Sequence, residues 1–162
     1  MIQMLEGAVA DAKLVFDRAT IKVEKSVPPS MQLRLKCDPL ELEGAFAELL
    51  RNAGEALIRA TPRGDRVTVR VGIQSQVEDA AMARVEVEDN GPGIPVAMRE
   101  LIFEPQVSVQ DSSFHGYGLV VAKRRIESLA GSIRVTGPET SGACFEILLP
   151  VRLQGAYETT EA

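Results

Sequence analysis

The sequence predicts a two-layer α/β (α+β) sandwich, with helices packed on one face of a mixed, mainly antiparallel sheet. Three observations carry that expectation. Two long segments, one opening at Asp38 and one at Gly116, each show a single apolar stripe at helical spacing, so each has one face to bury. The other regular segments alternate apolar and polar residues, which is the period of a strand. Strands and helices do not take turns along the chain, as they would in a doubly wound parallel sheet. A length of 162 residues suits one such domain.

In chain order, residues 1–19 read as an amphipathic helix, with Leu5, Ala8, Val9, Ala12 and Phe16 on one face. It either packs on the domain or continues a helix from an upstream module. Two short strands follow, around Ile21 and Val23 and around Leu33 and Leu35; the Pro28-Pro29-Ser30 turn between them predicts that they pair. Asp38 as N-cap, Pro39 at the first helical position and Glu41 three residues after the cap start a helix. Its stripe is Leu42, Phe46, Leu49, Ala53 and Leu57, and it should stop near Thr61-Pro62-Arg63-Gly64. A strand over 67–73 and a second ending at Asp89 suggest a hairpin across a polar loop. A short helical segment spans 98–103, and the polar, unpatterned stretch 105–116 reads as a mobile lid. The helix after Gly116 buries Leu119, Ala122, Ile126 and Leu129 and ends at Gly131. Strands 132–136 and 143–149 close the domain at Pro150, and residues 153–162 form a disordered acidic tail.

Composition narrows the function. Eighteen basic and twenty-three acidic residues give a net charge of −5, which argues against a general nucleic-acid surface while leaving room for a local phosphate site. No apolar run reaches the roughly 20 residues of a membrane span, and no secretory leader pattern opens the chain. A cytoplasmic segment without membrane contact is expected, whether or not a longer parent is membrane-bound. Cys37 and Cys144 lack metal-ligand spacing and read as buried reduced thiols.

The most informative stretch is Asp89-Asn90-Gly91-Pro92-Gly93-Ile94-Pro95. Alternation from Val85 and Val87 turns Asp89 toward the covered face, where a carboxylate needs hydrogen-bond donors. An adenine amino group fits, and Gly91 and Gly93 let the backbone approach a flat ligand. A tight turn in which Asp89 caps its own loop amides fits equally well. Glu48 and Asn52, one helical turn apart, bring two polar ends to one place, as a Mg²⁺ and phosphate site needs and as many solvated helix faces also do.

Taken in order, Glu48-Leu49-Leu50-Arg51-Asn52-Ala53, the Asp89–Ile94 loop, Ile102-Phe103-Glu104-Pro105 and Gly116-Tyr117-Gly118-Leu119 resemble the N, G1, F and G2 boxes of the GHKL ATPases. The ending Gly142-Ala143-Cys144-Phe145-Glu146-Ile147-Leu148-Leu149-Pro150 is similar to the last strand of that family's sensor histidine kinase branch, nitrogen-regulation kinases in particular. The resemblance covers residues 20–152. It implies the Bergerat ATP-binding fold, with Asp89 taking the adenine amine, Gly91, Gly93 and Ile94 shaping the pocket, and Phe103 packing beside it. Asn52 would hold Mg²⁺ and Glu48 would be catalytic. His115, Gly116, Tyr117, Gly118 and Leu119 would close on the phosphates of ATP or ADP at a helix N-terminus.

That resemblance implies a protein histidine kinase catalytic domain that passes the γ-phosphoryl of Mg·ATP to a histidine on a separate upstream dimerisation domain, with a response regulator downstream. His115 lacks the acidic neighbour and helical setting of an acceptor, so the chain alone is not expected to phosphorylate itself. Three residues depart from the family pattern: Gln110 at a lid position usually Lys, Val120 for a third glycine, and Ala143 for a strand Thr. They keep a nucleotide-binding scaffold with weak turnover open, beside an anti-sigma-type serine kinase and, less favoured because the lid is short, a clamp ATPase module.

Overall fold

The computed structural model describes residues 1, 3, 6–10, 20–25, 32–59, 65–77, 80–105 and 117–154. Six strands form one sheet: β1 (Thr20–Lys25), β2 (Gln32–Arg34), β3 (Arg66–Val77), β4 (Ala80–Asp89), β5 (Ser132–Thr136) and β6 (Cys144–Gln154). The order is β1-β3-β4-β6-β2, and β5 also pairs with β6. Only β1 and β3 run parallel; the other pairs are antiparallel. Helices α1 (Pro39–Arg59) and α2 (Gly118–Ser128) cover one face of the sheet, as the sequence predicts.

Alternation explains the layering. Val67, Val69 and Val71 of β3, Ala83, Val85 and Val87 of β4, and Phe145, Ile147 and Leu149 of β6 all point under the helices and are buried. They meet Leu42, Phe46, Leu49 and Leu50 of α1 and Ile126 of α2 in one core. Each such side chain contributes about 1.5–3 kcal/mol by leaving water. The opposite face carries charge, with Arg70 paired to Glu88 and Arg84 to Glu86. Asp38 caps α1 as expected, its Oδ1 accepting the Leu40 amide at 3.0 Å.

Several expectations need correction. β1 and β2 do not pair with each other; β1 joins β3 at one edge of the sheet and β2 joins β6 at the other. β3 does not stop at Ile73 but passes an irregularity between Ile73 and Ser75 and continues to Val77. Pro150 does not end β6. It faces Met82 of β4 on one side, and on the other it lies between the last rung with β5 and the first with β2, where the missing N–H is tolerated. Leu153 and Gln154, read as the start of the tail, are the end of β6. The segment around 98–103 is two 3₁₀ turns, Val96–Met98 and Leu101–Phe103. Cys37 and Cys144 are half-buried rather than buried, and burial raises both thiol pKa values. In α2, Val120 is buried along with Ala122 and Ile126, while Leu119 and Leu129 are partly buried.

The end of α2 divides one expected role between two residues. Ala130 holds the left-handed conformation, φ 56°, with its amide on Glu127 O at 3.0 Å and the Gly131 amide on Ile126 O at 3.1 Å. Gly131 is needed for a different reason: a Cβ there would lie 2.6 Å from Leu148 O.

Residues 6–10 are helical, and Ala8 and Val9 join the core, with Gly7 against the Glu43 side chain of α1. Residues 106–116 of the expected lid, with Gln110, His115 and Gly116, lie outside the described residues, as do the expected helix stop at 61–64 and the expected tail from 155 onward.

Candidate nucleotide site

Asp89 ends β4 with its side chain under the helices, and only 3% of the residue is exposed. Its Oδ1 accepts the Gly91 amide at 2.8 Å and the Ala143 amide at 3.4 Å. Its Oδ2 is buried without a partner among the described residues. Burial raises the carboxyl pKa above 3.8; the two amides pull it down, and Glu88 adds a smaller upward push. The capping reading of Asp89 is met by one oxygen, Oδ1. The other oxygen, Oδ2, has no donor among the described residues.

The glycine loop is fastened on three sides. Asp89 N donates to Ala143 O at 2.9 Å and Gly142 N to Gly91 O at 2.8 Å, joining the loop to the turn before β6. Asn90 Oδ1 accepts the amides of Asp65 and Arg66 at 3.1 and 2.9 Å, joining it to the start of β3. Arg99 donates to the carbonyls of Ile94 and Gly137. Gly93 has φ +83°, and a Cβ on it would lie 2.6 Å from Glu139 O, so both conformation and space demand glycine there. Gly91 tolerates a Cβ no better, since one would come 2.8 Å from Asp89 Oδ1.

Phe103 is buried, edge-on to Phe145 at 6.3 Å between centroids, with Lys123 Nζ 5.3 Å from its ring. It pins the second 3₁₀ turn to sheet and helix. Ile94 and Leu119 pack partly against the core, while Tyr117 is half-exposed. On α1, Glu48 is ion-paired with Arg51, whose Nη1 also lies 3.7 Å from Glu55. A Cβ at Gly118 would collide with that Glu48 carboxylate and lie 2.6 Å from Arg51 Nη2, so the polar edge of α1 abuts the N-terminus of α2. Arg51 is thereby placed on Glu48, and the pairing raises its pKa. Asn52, one turn beyond Glu48, is half-buried. Its amide oxygen and the Glu48 carboxylate are hard donors of the kind Mg²⁺ takes. No group of three His, Cys, Asp or Glu residues forms a metal cage among the described residues. A Mg²⁺ shared with phosphates uses only one or two protein oxygens.

A cavity of about 220 Å³, lined by Lys22, Arg66, Thr68, Arg70, Glu88, Asp89 and Asn90, opens on the charged face of the sheet. Its lining offers no apolar wall for a base, so it is not the pocket of the Asp89 carboxylate.

Residues 37–153 match the model of the histidine kinase-, DNA gyrase B-, and HSP90-like ATPase family. The chain belongs to this family. Among its relatives, it is 33% identical to the sensory histidine kinase/phosphatase NtrB of Klebsiella oxytoca, over 82% of this chain and 38% of that protein. It is 30% identical to the sensor protein CitS of Halalkalibacterium halodurans, over 79% of this chain and 23% of that one. The chain thus spans well under half of these relatives. A mycobacterial sensor histidine kinase, MprB, shares the fold with a TM-score of 0.74 at 24% identity, covering 95% of this chain and 97% of the other. The domain is of the ATP-binding catalytic type found in sensor histidine kinases.

The sequence did not single out Asn90, Arg99 or Gly142 as parts of the site. The Gly137-to-Gly142 spacing marks a turn but not what the turn packs against.

Proposed function

We propose that this chain binds Mg·ATP and donates its γ-phosphoryl group to a histidine on a separate helical dimerisation domain in two-component signalling. The observation that supports this reading most is Asp89 Oδ2, a buried acceptor with no partner among the described residues. Asn52 would hold the Mg²⁺, whose charge offsets that of the phosphates. Glu48 lies beside the start of α2 with its carboxylate paired to Arg51, and in this reading it would assist the transfer. Gly118 lets the start of α2 approach the Glu48 and Arg51 side chains, and a phosphate would meet the helix N-terminus there, with the expected lid 105–116 closing over it. Residues 1–19 would lead from the upstream acceptor domain, and a response regulator would take the phosphoryl group next. No helix among the described residues is long and apolar enough to cross a membrane; a cytoplasmic setting belongs to the proposal.

The test is γ-labelled ATP with and without an added helical acceptor domain, followed by acid. The chain alone should retain no label, and the mixture should give acid-labile label, as phosphohistidine does. Acid-stable label would point to a serine acceptor and overturn the reading. Asn52→Ala should weaken binding mainly in the presence of Mg²⁺; equal loss with and without the metal would remove Asn52 from that role.

A further inference from the structure

We propose that Arg99 is a positioning residue for the base pocket: by tying the glycine loop to the turn between β5 and β6, it sets the direction of Asp89 Oδ2. The proposal rests on the nucleotide-binding reading above.

The local chain explains how Arg99 reaches this place. Pro95, with φ −55° and ψ 143°, leads into the Val96–Met98 turn. There the Met98 amide bonds Pro95 O at 2.9 Å and the Arg99 amide bonds Val96 O at 3.2 Å. The reversal lays the Arg99 side chain back over the loop it follows. Its Nε donates to Ile94 O at 3.2 Å and its Nη2 to Gly137 O at 2.7 Å. A planar guanidinium can span two carbonyls in this way, whereas an ammonium is a point donor.

The consequence for Asp89 follows from how its carboxylate is held. The two amides on Oδ1 come from different segments, Gly91 from the glycine loop and Ala143 from the end of the β5–β6 turn. If those segments slide past each other, the carboxylate turns and Oδ2 moves off the base. The bonds Asp89 N to Ala143 O and Gly142 N to Gly91 O hold the segments together at the strand end. Arg99 holds the far end, beyond Gly93, where the loop runs along the carbonyl of Glu139. It acts through Asp89 without touching the base.

The experiment compares two ligands on the full chain: ADP, and the 5′-diphosphate of purine riboside, which lacks the exocyclic amine. Wild type should prefer ADP by about tenfold or more, the discrimination of one buried hydrogen bond. In Arg99→Ala, ADP affinity should fall about tenfold and the analogue's by less than about threefold, so the preference collapses. Arg99→Lys, which keeps the charge and one donor, should fall between the two and serves as the test if the alanine variant does not fold. A preference unchanged in either folded variant, with both affinities falling in step with the melting temperature, would show Arg99 merely holding the fold and overturn the proposal. A wild-type chain that binds neither ligand would instead overturn the nucleotide reading on which the proposal stands, and one that binds both equally would overturn the contact of Asp89 Oδ2 with the amine and with it this proposal.

Discussion

Asp89 and Glu146 are both buried carboxylates, 3% and 4% exposed, on adjacent strands but opposite faces of the sheet. Glu146 is saturated. Arg134 Nε donates to its Oε1 at 2.6 Å, Arg84 Nε lies 3.0 Å from its Oε2, and Arg84 also pairs with Glu86, which would otherwise face Glu146 as a like charge. Among the described residues, Asp89 has two amides on one oxygen, no partner on the other and no cation bonded to it. The difference separates a carboxylate that holds structure from one whose second oxygen is open to the proposed ligand. Burial alone does not make a site; an unmet hydrogen-bonding capacity does.

The largest expected effect would break the comparison outright if it failed. Asp89→Asn should weaken ADP and ATP alike by about 1–3 kcal/mol, up to roughly a hundredfold, because an acceptor for the adenine amine becomes a potential donor. Calorimetric affinity unchanged in this variant would make Asp89 another structural carboxylate. Acid gives the same contrast without mutation. Because burial raises the Asp89 pKa, the folded state takes up the proton first; its stability contribution is full below the unfolded value near 3.8 and is lost as pH rises through the folded value. Asp89→Asn should abolish that component of the pH-stability curve. In wild type, nucleotide affinity should fall on acidification through the same window as the carboxylate protonates.

Gly93→Ala should be next, destabilising the loop by about 1–2 kcal/mol from the left-handed backbone alone, before the contact with Glu139 O is counted. Melting temperature and ADP affinity should drop together; a loss of neither would mean the loop is free to move. Glu146→Gln should show the opposite split. It should lower stability by about 1–2 kcal/mol, a modest loss because Arg84 stays solvated, and leave ADP affinity alone. Nucleotide binding that falls with Glu146 would erase the distinction drawn above. The smallest effect sharpens it from the other side. Ala130→Gly should relieve the left-handed alanine at the end of α2 and raise stability by about 0.5–1 kcal/mol in chemical denaturation, with no change in affinity.

Much of this was legible in the chain itself. The Asp38-Pro39 start of α1, its stripe from Leu42 to Leu57, the alternation that turns Asp89 inward and the glycines at 91 and 93 are local patterns, because helix and strand periodicity and backbone freedom are properties of neighbouring residues. They were enough to predict the layers and to mark Asp89. The tertiary structure decided what those patterns meet. The proline-rich turn between β1 and β2 suggested a pair, yet the two strands went to opposite edges, since any strand edge offers the same N–H and C=O groups and burial chooses among them. The left-handed position fell on Ala130, although Gly131 follows it, and the space that demands glycine at 131 is set by Leu148 O on a distant strand. Ala143 meets Asp89 through its backbone amide and Gly137 meets Arg99 through its carbonyl, groups that every residue carries and that no side-chain pattern announces. Sequence determined which residues could build a site, through side-chain chemistry and local geometry. Only the fold brought to Asp89 Oδ1 its second amide, that of Ala143, from 54 positions along the chain.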